Sequence, residues 1–325
     1  MEIPVIDLHN DLLSYLSYQP GRSPDDPASR SSYPLLSQGH VKVQTLAIFT
    51  VTGSKSVENG KIQVDQFQKL LSHYPTLFSK YDFPLQAEKS IHVIAAFENA
   101  SSFAAETESL SDAIKRLEGY LRAIGPLFYI GLTWDDENRF GGGNRTSVGL
   151  KEDGKRLLEW MSGKGIAVDL SHTSDKMAHG ILNFIDQSGI DVPVIASHSN
   201  FRAISNYPRN LPEDIAKEII KRKGLIGLNF FAPFIHNSDP SALLRHVEYA
   251  LDLGAGDALC FGADFFCNSD FPHIMEKYQR SEAFYPDLDN SSVYPLILEL
   301  FGQKLRLNKE QLLKIASQNA LRFLT

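Results

Sequence analysis

The stretch Gly165 to Asn200, GIAVDLSHTSDKMAHGILNFIDQSGIDVPVIASHSN, carries the pattern on which the fold turns. A short apolar run, Ile166 to Asp169, leads into Ser171-His172. An amphipathic segment follows, Lys176 to Gln187, and then a second apolar run, Val194 to Ser197, leads into His198. The outer runs are short and rich in β-branched residues, as strands buried on both faces are, while the middle segment repeats its apolar positions at helical spacing. Two strands joined through a helix pair in parallel. Both strands also run into a histidine.

Working outward, the same unit recurs along the chain. Strands are expected at Val5 to His9, Val43 to Thr50, Ile91 to Glu98, Tyr129 to Trp134, Ile166 to Asp169, Val194 to Ser197, Leu225 to Asn229 and Leu259 to Gly262. Helices are expected at Val57 to Ser79, Ser111 to Ile124, Lys151 to Lys164, Lys176 to Gln187, Pro212 to Arg222 and Ser241 to Leu253, with two more, Val293 to Phe301 and Lys309 to Phe323, closing the chain. Eight alternations predict an α/β fold, a closed (β/α)8 TIM barrel, and no linker divides residues 1–325, so a single catalytic domain is expected. Gln19 to His40, rich in Pro, Ser, Asp and Arg, reads as a long loop without a convincing helix, one that covers the barrel mouth.

Composition narrows the function. Of 325 residues, 43% are hydrophobic and 22% charged, as in a folded soluble enzyme. A net charge of −7 without a block of like charges removes the electrostatic reason to expect nucleic acid. No run of 18 apolar residues occurs and the amino terminus lacks the pattern of a signal peptide, so no membrane association and a cytoplasmic location are expected. Cys260 and Cys267 are too few for a disulfide framework and fit a reducing compartment.

In such a barrel, chemistry sits at the carboxyl ends of the strands. There the sequence places His9, Asn10 and Asp11 after strand one, Glu98 after strand three, His172 after strand five, His198 after strand six and Asp264 after strand eight. His9 and Asp11, two apart in an extended segment, point the same way and can share one ion. Glu98 can bridge to a second ion completed by His172 and His198; imidazole with carboxylate is a donor set suited to zinc. One His-x-Asp alone more often satisfies loop backbone; the convergence of five such residues is the signal. The other histidines, at 40, 73, 92, 179, 236, 246 and 273, lie where no carboxylate pairs with them and are read as non-catalytic.

The pieces DLHNDLL at 7–13, AAFEN at 95–99, DLSHTS at 169–174, ASHSN at 196–200, RNLPEDI at 209–215, GLIGLNFF at 224–231, GADFF at 262–266 and NALRF at 319–323 resemble, in order and spacing, the renal (membrane) dipeptidase family. The resemblance implies hydrolysis of dipeptides by a hydroxide shared between two divalent ions, most often Zn2+. His9 and Asp11 would bind one ion, His172 and His198 the other, Glu98 both, and Asp264 would handle protons. Arg209 would meet the α-carboxylate, with Trp134 and Asn229 as further substrate contacts. Members are often dimers, so a homodimer is implied.

Two positions depart from the family. Its usual Leu-Thr-His is here Leu132-Thr133-Trp134, which offers an apolar wall and one N–H but cannot titrate, and Phe231 stands where related chains often carry tyrosine. After Trp134, the acidic run Asp135, Asp136, Glu137 is expected to be solvated surface, and Gly141 to Gly143 a mobile loop. Two readings stay open beside the dipeptidase: another binuclear hydrolase acting on a lactam, ester or N-acyl amide, and a binding protein that has lost turnover.

Overall fold

The computed structural model describes residues 2–82, 84 and 90–325. Its strands are β1 (Val5–Asn10), β2 (Val41–Ile48), β3 (Phe78–Lys80), β4 (Ile91–Phe97), β5 (Leu127–Gly131), β6 (Ala167–Asp169), β7 (Val194–Ile195), β8 (Ile226–Leu228) and β9 (Leu259–Phe261). Its helices are α1 (Leu12–Tyr18), α2 (Tyr33–Gln38), α3 (Ser56–His73), α4 (Leu110–Ile124), α5 (Glu152–Met161), α6 (Asp175–Ser188), α7 (Glu213–Lys221), α8 (Ala232–Ile235), α9 (Ala242–Asp252), α10 (Pro272–Lys277), α11 (Tyr294–Lys304), α12 (Lys309–Leu313) and α13 (Asn319–Leu324).

Eight parallel strands run in the order β7-β6-β5-β4-β2-β1-β9-β8. The ring closes between its ends: Ala196, just past β7, bridges to Ile226, its N–H donating to Leu225 O at 2.8 Å while Gly227 N–H donates back to Ala196 O at 2.8 Å. A side chain at Gly227 would prevent this, because its Cβ would lie 1.9 Å from the Ser197 carbonyl oxygen. The expected α/β barrel of TIM type is therefore present as one domain.

The unit β6–α6–β7 illustrates how sequence becomes barrel. Val168 pairs with Val194 and Asp169 with Ile195. Ser174 caps α6 by accepting from Met177 N–H, and Gly189 ends it in the left-handed conformation, as a helix C-terminus favours. One face of α6, Met177, Ala178, Ile181, Leu182 and Ile185, is buried in the layer between helices and strands. A second apolar cluster, including Ile6, Leu8, Val43, Ile94, Tyr129 and Ile195, gathers side chains of the strands with Ala320 of α13.

Three expectations about elements change. The helix expected to reach Ser79 stops at His73, and Phe78–Lys80 forms β3, which pairs with the first residues of β4 while β5 pairs with its last. The stagger of barrel strands leaves that early edge of β4 open, and β3 takes it. The segment Gln19 to His40 contains α2 and a turn of 3-10 helix at Pro27–Ser29, each with Pro in its first turn. None of its residues lines the cleft described below; Arg22 and Arg30 tie it instead to Asp270, Glu282 and Asp289. The closing helix is interrupted by a π-helical turn at Lys314–Gln318. Among the described residues no helix is long and apolar enough to cross a membrane.

Candidate metal centre

Every strand-end residue singled out above arrives at one end of the barrel. His9 is the penultimate residue of β1, where the pairing register with β2 shifts between Asp7 and Asn10, and Asp11 precedes the first turn of α1. Glu98 follows β4 directly, while His172, His198 and Asp264 each lie three residues beyond β6, β7 and β9. His172 and Asp264 have positive φ, 68° and 64°, a conformation that side chains other than glycine adopt at a cost and that often marks functional sites.

The three histidines are locked in one tautomer by what their Nδ1 atoms touch. His172 Nδ1 lies 2.9 Å from Asp135 Oδ1, an atom that can only accept, so Nδ1 carries the proton. Ser197 Oγ spends its proton on Asp169 Oδ2 at 2.5 Å and accepts from His198 Nδ1 at 2.6 Å. Tyr129 donates its hydroxyl to Leu8 O and accepts from His9 Nδ1 at 2.6 Å. All three Nε2 atoms therefore present lone pairs to a common space, and all three histidines are buried.

That space is hostile to the groups around it unless a cation enters. His172 Nε2 and His198 Nε2 face each other at 3.0 Å, and His172 Nε2 faces Glu98 Oε1 at 3.0 Å, lone pair against lone pair. His9 Nε2 and Asp11 Oδ1 are buried with no hydrogen-bond partner, an expensive state for polar atoms. Burial, with the neighbouring histidines and Arg209, pushes His9 and His198 well below the usual imidazole range, and burial and Arg209 bring His172 down to about 4. Burial, with repulsion from Asp264 and Asp270 on Asp11 and from Asp11 and Asp264 on Glu98, pushes both carboxyls well above the carboxylate range. Neutral imidazoles and crowded carboxylates are what divalent ions bind, so the residues present fit a metal centre.

Glu98 is split between two positions. Its Oε2 lies 3.6 Å from His9 Nε2, and its Oε1 lies 3.0 and 3.7 Å from His172 and His198 Nε2. Donor atoms of His9, Asp11 and Glu98 all lie within 4.8 Å of one another, as do those of Glu98, His172 and His198. A third group within the same limit joins His9, His198 and Asp264. Asp264, pushed up to about 7 chiefly by burial, has Oδ1 3.6 Å from His9 Nε2 and Oδ2 held at 2.8 Å by Asn229.

The centre opens into a cleft, the concave setting usual for a small-molecule site. Asp11, Glu98, His172 and Asp264 lie among its lining residues, and Phe49, Trp134, Phe231, Phe271 and Tyr278 supply aromatic wall. Trp134 does reach the cleft; its ring meets Phe49 edge-on at 5.1 Å and leans on His172 at 5.9 Å.

Four placements have surroundings that the sequence alone does not show. Asn229, expected to touch substrate, does not line the cleft: its amide donates to Asp264 Oδ2 and to His198 O and accepts from Phe231 N–H, so it positions Asp264. Arg209 is also absent from the lining; it is buried, donating to Ser199 Oγ at 2.7 Å and His198 O at 3.1 Å, with its Nε unpartnered and its guanidinium 5.5 Å over Phe234, which does line it. Asp135 is no surface acid. It is 6% exposed and is shared by His172, Asn144, Arg145 and Lys277. Burial raises its carboxyl, but the hydrogen bond from His172 and the surrounding charges outweigh burial and hold it below the usual range. Gly141 to Gly143 is buried, close-packed backbone: a Cβ at Gly143 would meet Trp134 O at 1.8 Å.

Sequence reading missed the residues that orient the candidate ligands. Tyr129 had no local signal, since a tyrosine in a buried strand reads as core. Asp169 and Ser197 sat beside the ligands in the two Ser-His segments and could have been suspected there: Asp169 Oδ1 accepts from the N–H groups of both Ser171 and Ser197, knitting the ends of β6 and β7 together.

The chain is similar to several known proteins. The family model described as membrane dipeptidase (peptidase family M19) matches residues 1–325. An uncharacterized protein of Acinetobacter calcoaceticus is 30% identical over 182 residues, 51% of this chain and 53% of its own, so the match spans about half that relative's length. An uncharacterized dipeptidase of Schizosaccharomyces pombe is 24% identical over 323 residues, covering 88% of this chain and 74% of that protein. A metallopeptidase from Rhodobacter sphaeroides, solved with a phosphinate mimic of the dipeptide L-Ala-D-Ala, has the same fold, with a TM-score of 0.81 at 19% identity over 100% of this chain and 99% of that one.

Proposed function

Because the chain belongs to the membrane dipeptidase family, peptidase family M19, we propose that it hydrolyses dipeptides with two divalent ions, zinc by donor type, held by His9 and Asp11 on one side, His172 and His198 on the other, and Glu98 between. The observation that carries this reading is the set of three Nδ1-tethered imidazoles whose free Nε2 atoms converge on Asp11, Glu98 and Asp264. Bound there, the ions would bring the pKa of a water toward neutrality and polarise the scissile carbonyl.

The protein's own groups supply the rest. Asp264, fixed by Asn229 and turned toward His9, is the residue able to take a proton and give it to the departing amine. Arg209 keeps unused donors beside the centre and suits a substrate carboxylate, which restricts the reaction to short peptides. Trp134 and the neighbouring aromatic rings keep water from the reacting bond and seat an apolar side chain. The bound mimic in the Rhodobacter protein adds an L,D dipeptide to the substrates worth assaying. Cys260 and Cys267 are free and buried, in keeping with a cytoplasmic site of action, and a homodimer follows from the family.

The test is metal analysis of the purified protein alongside hydrolysis of a mixed L,L and L,D dipeptide panel. About two bound ions per chain, and activity lost to a chelator and restored by zinc, are expected. Absence of both metal uptake and zinc-stimulated hydrolysis would overturn the reading.

A further inference from the structure

Among the described residues lining the cleft, two carry permanent positive charge, Arg145 and Lys277, and they converge on the single carboxylate of Asp135. Arg145 NH2 lies 2.7 Å from Asp135 Oδ2 and Lys277 Nζ, in a looser contact, 3.6 Å from the same oxygen. That carboxylate is already committed, through Oδ1, to His172 and Asn144. Asp136 stands 4.0 Å from Arg145 NH1, but its side chain is 59% exposed, so water and salt screen it. Asp11, Glu98 and Asp264 also line the cleft but serve the metal centre in the proposed reading, so this stretch of wall holds two half-sheltered cations against one shared anion, and burial lowers the Lys277 ammonium below its ordinary range despite Asp135. An anion entering the cleft would relieve this imbalance.

The surroundings say what kind of anion. Ile274 and Lys277 of α10, with Tyr278 just past its end, are spaced i, i+3 and i+4 and line the cleft together. Arg145, beside them at Asp135, lies 5.7 Å over the Trp134 ring. A short methylene stem between apolar surfaces with a carboxylate at its tip matches both features. We propose that Arg145 and Lys277 are specificity-determining residues that select dipeptides bearing an acidic side chain, an assignment that rests on the dipeptidase reading and is separate from the α-carboxylate role given to Arg209.

The test uses the metal-loaded enzyme and matched pairs, Ala-Glu against Ala-Gln and Glu-Ala against Gln-Ala, the second residue in both L and D forms. The wild type should favour the acid over its amide by about tenfold or more in kcat/KM in at least one pair, as expected for a charge-assisted contact. Lys277→Glu should abolish or invert that ratio, and Lys277→Met, checked for folding by circular dichroism, should shrink it. Equal rates on acid and amide, or an undiminished ratio in both variants, would overturn this inference and leave the dipeptidase reading standing. Hydrolysis of no dipeptide would instead overturn the dipeptidase reading, and this inference with it.

Discussion

His172 Nε2 and His198 Nε2 lie 3.0 Å apart with no proton to share, because each ring has its Nδ1 proton committed, to Asp135 and to Ser197. Two lone pairs at that distance repel unless a cation lies between or beside them, so the folded barrel stores a free-energy cost that metal binding removes. Chelation should therefore destabilise the protein as well as silence it. An ion present at 100 times its Kd contributes about 2.7 kcal/mol. Thermal melts with chelator, then with zinc restored, should show Tm fall and recover by several degrees; an unchanged Tm would contradict the centre.

Asp135→Ala should weaken metal retention about 10- to 100-fold, the usual cost of losing the partner that orients a ligating histidine. The check is metal content after dialysis against a weak chelator, with Asp136→Ala as the comparison, since Asp136 is exposed and touches no ligand. Full retention by Asp135→Ala would show that His172 needs no orienting carboxylate.

Asp264→Asn should keep both ions yet lower kcat by about 10²- to 10⁴-fold, the range of a general acid or base. Asn229→Ala should also lower kcat while sparing KM, because its amide holds Asp264 and does not line the cleft. A rise confined to KM in Asn229→Ala would restore it as a substrate contact.

His246, remote from the centre, gives a pH prediction. Its Nδ1 accepts from Phe201 N–H and its Nε2 donates to Ile235 O, and burial takes its pKa from 6.5 down to about 4. As pH falls below 6.5 the unfolded chain binds a proton that the folded one refuses, so stability present above 6.5 is lost progressively until about pH 4. Between pH 7 and pH 5 this loss is about 2 kcal/mol. His246→Gln, which can still donate to Ile235, should lose correspondingly less over that interval in denaturant titrations at the two pH values. Equal losses in both proteins would refute the assignment.

Gly143→Ala should destabilise by about 1–3 kcal/mol, as overpacking does, because its Cβ would overlap the Trp134 carbonyl. Lower activity should accompany it, since Trp134 and Asp135 would have to move. Wild-type stability in urea would mean that this backbone crossing can relax.

The barrel and the gathering of candidate metal ligands were legible in the chain because both rest on local patterns. Short apolar runs alternating with amphipathic segments dictate parallel strands and covering helices, and chain direction then sends every strand's carboxyl end, with His9, Glu98, His172, His198 and Asp264, to one rim. The third strand Phe78–Lys80 was not legible, because its pairing depends on the edge that barrel stagger leaves open on Ile91–Val93.

Long-range relationships escaped for a similar reason. Asp135 sits in an acidic run that looks solvated, and only folding brings His172, Asn144, Arg145 and Lys277 around it and makes it a buried partner. Asn229 falls at a strand end like the candidate ligands, but Asp264, 35 residues on, claims its amide. The sequence by itself determined which residue types reach the barrel mouth, since strand order and direction follow from hydrophobic periodicity. The tertiary structure alone decided which of them face the cleft and which hold others in place, because hydrogen bonds and charge pairs between distant segments depend on distances that no local pattern encodes.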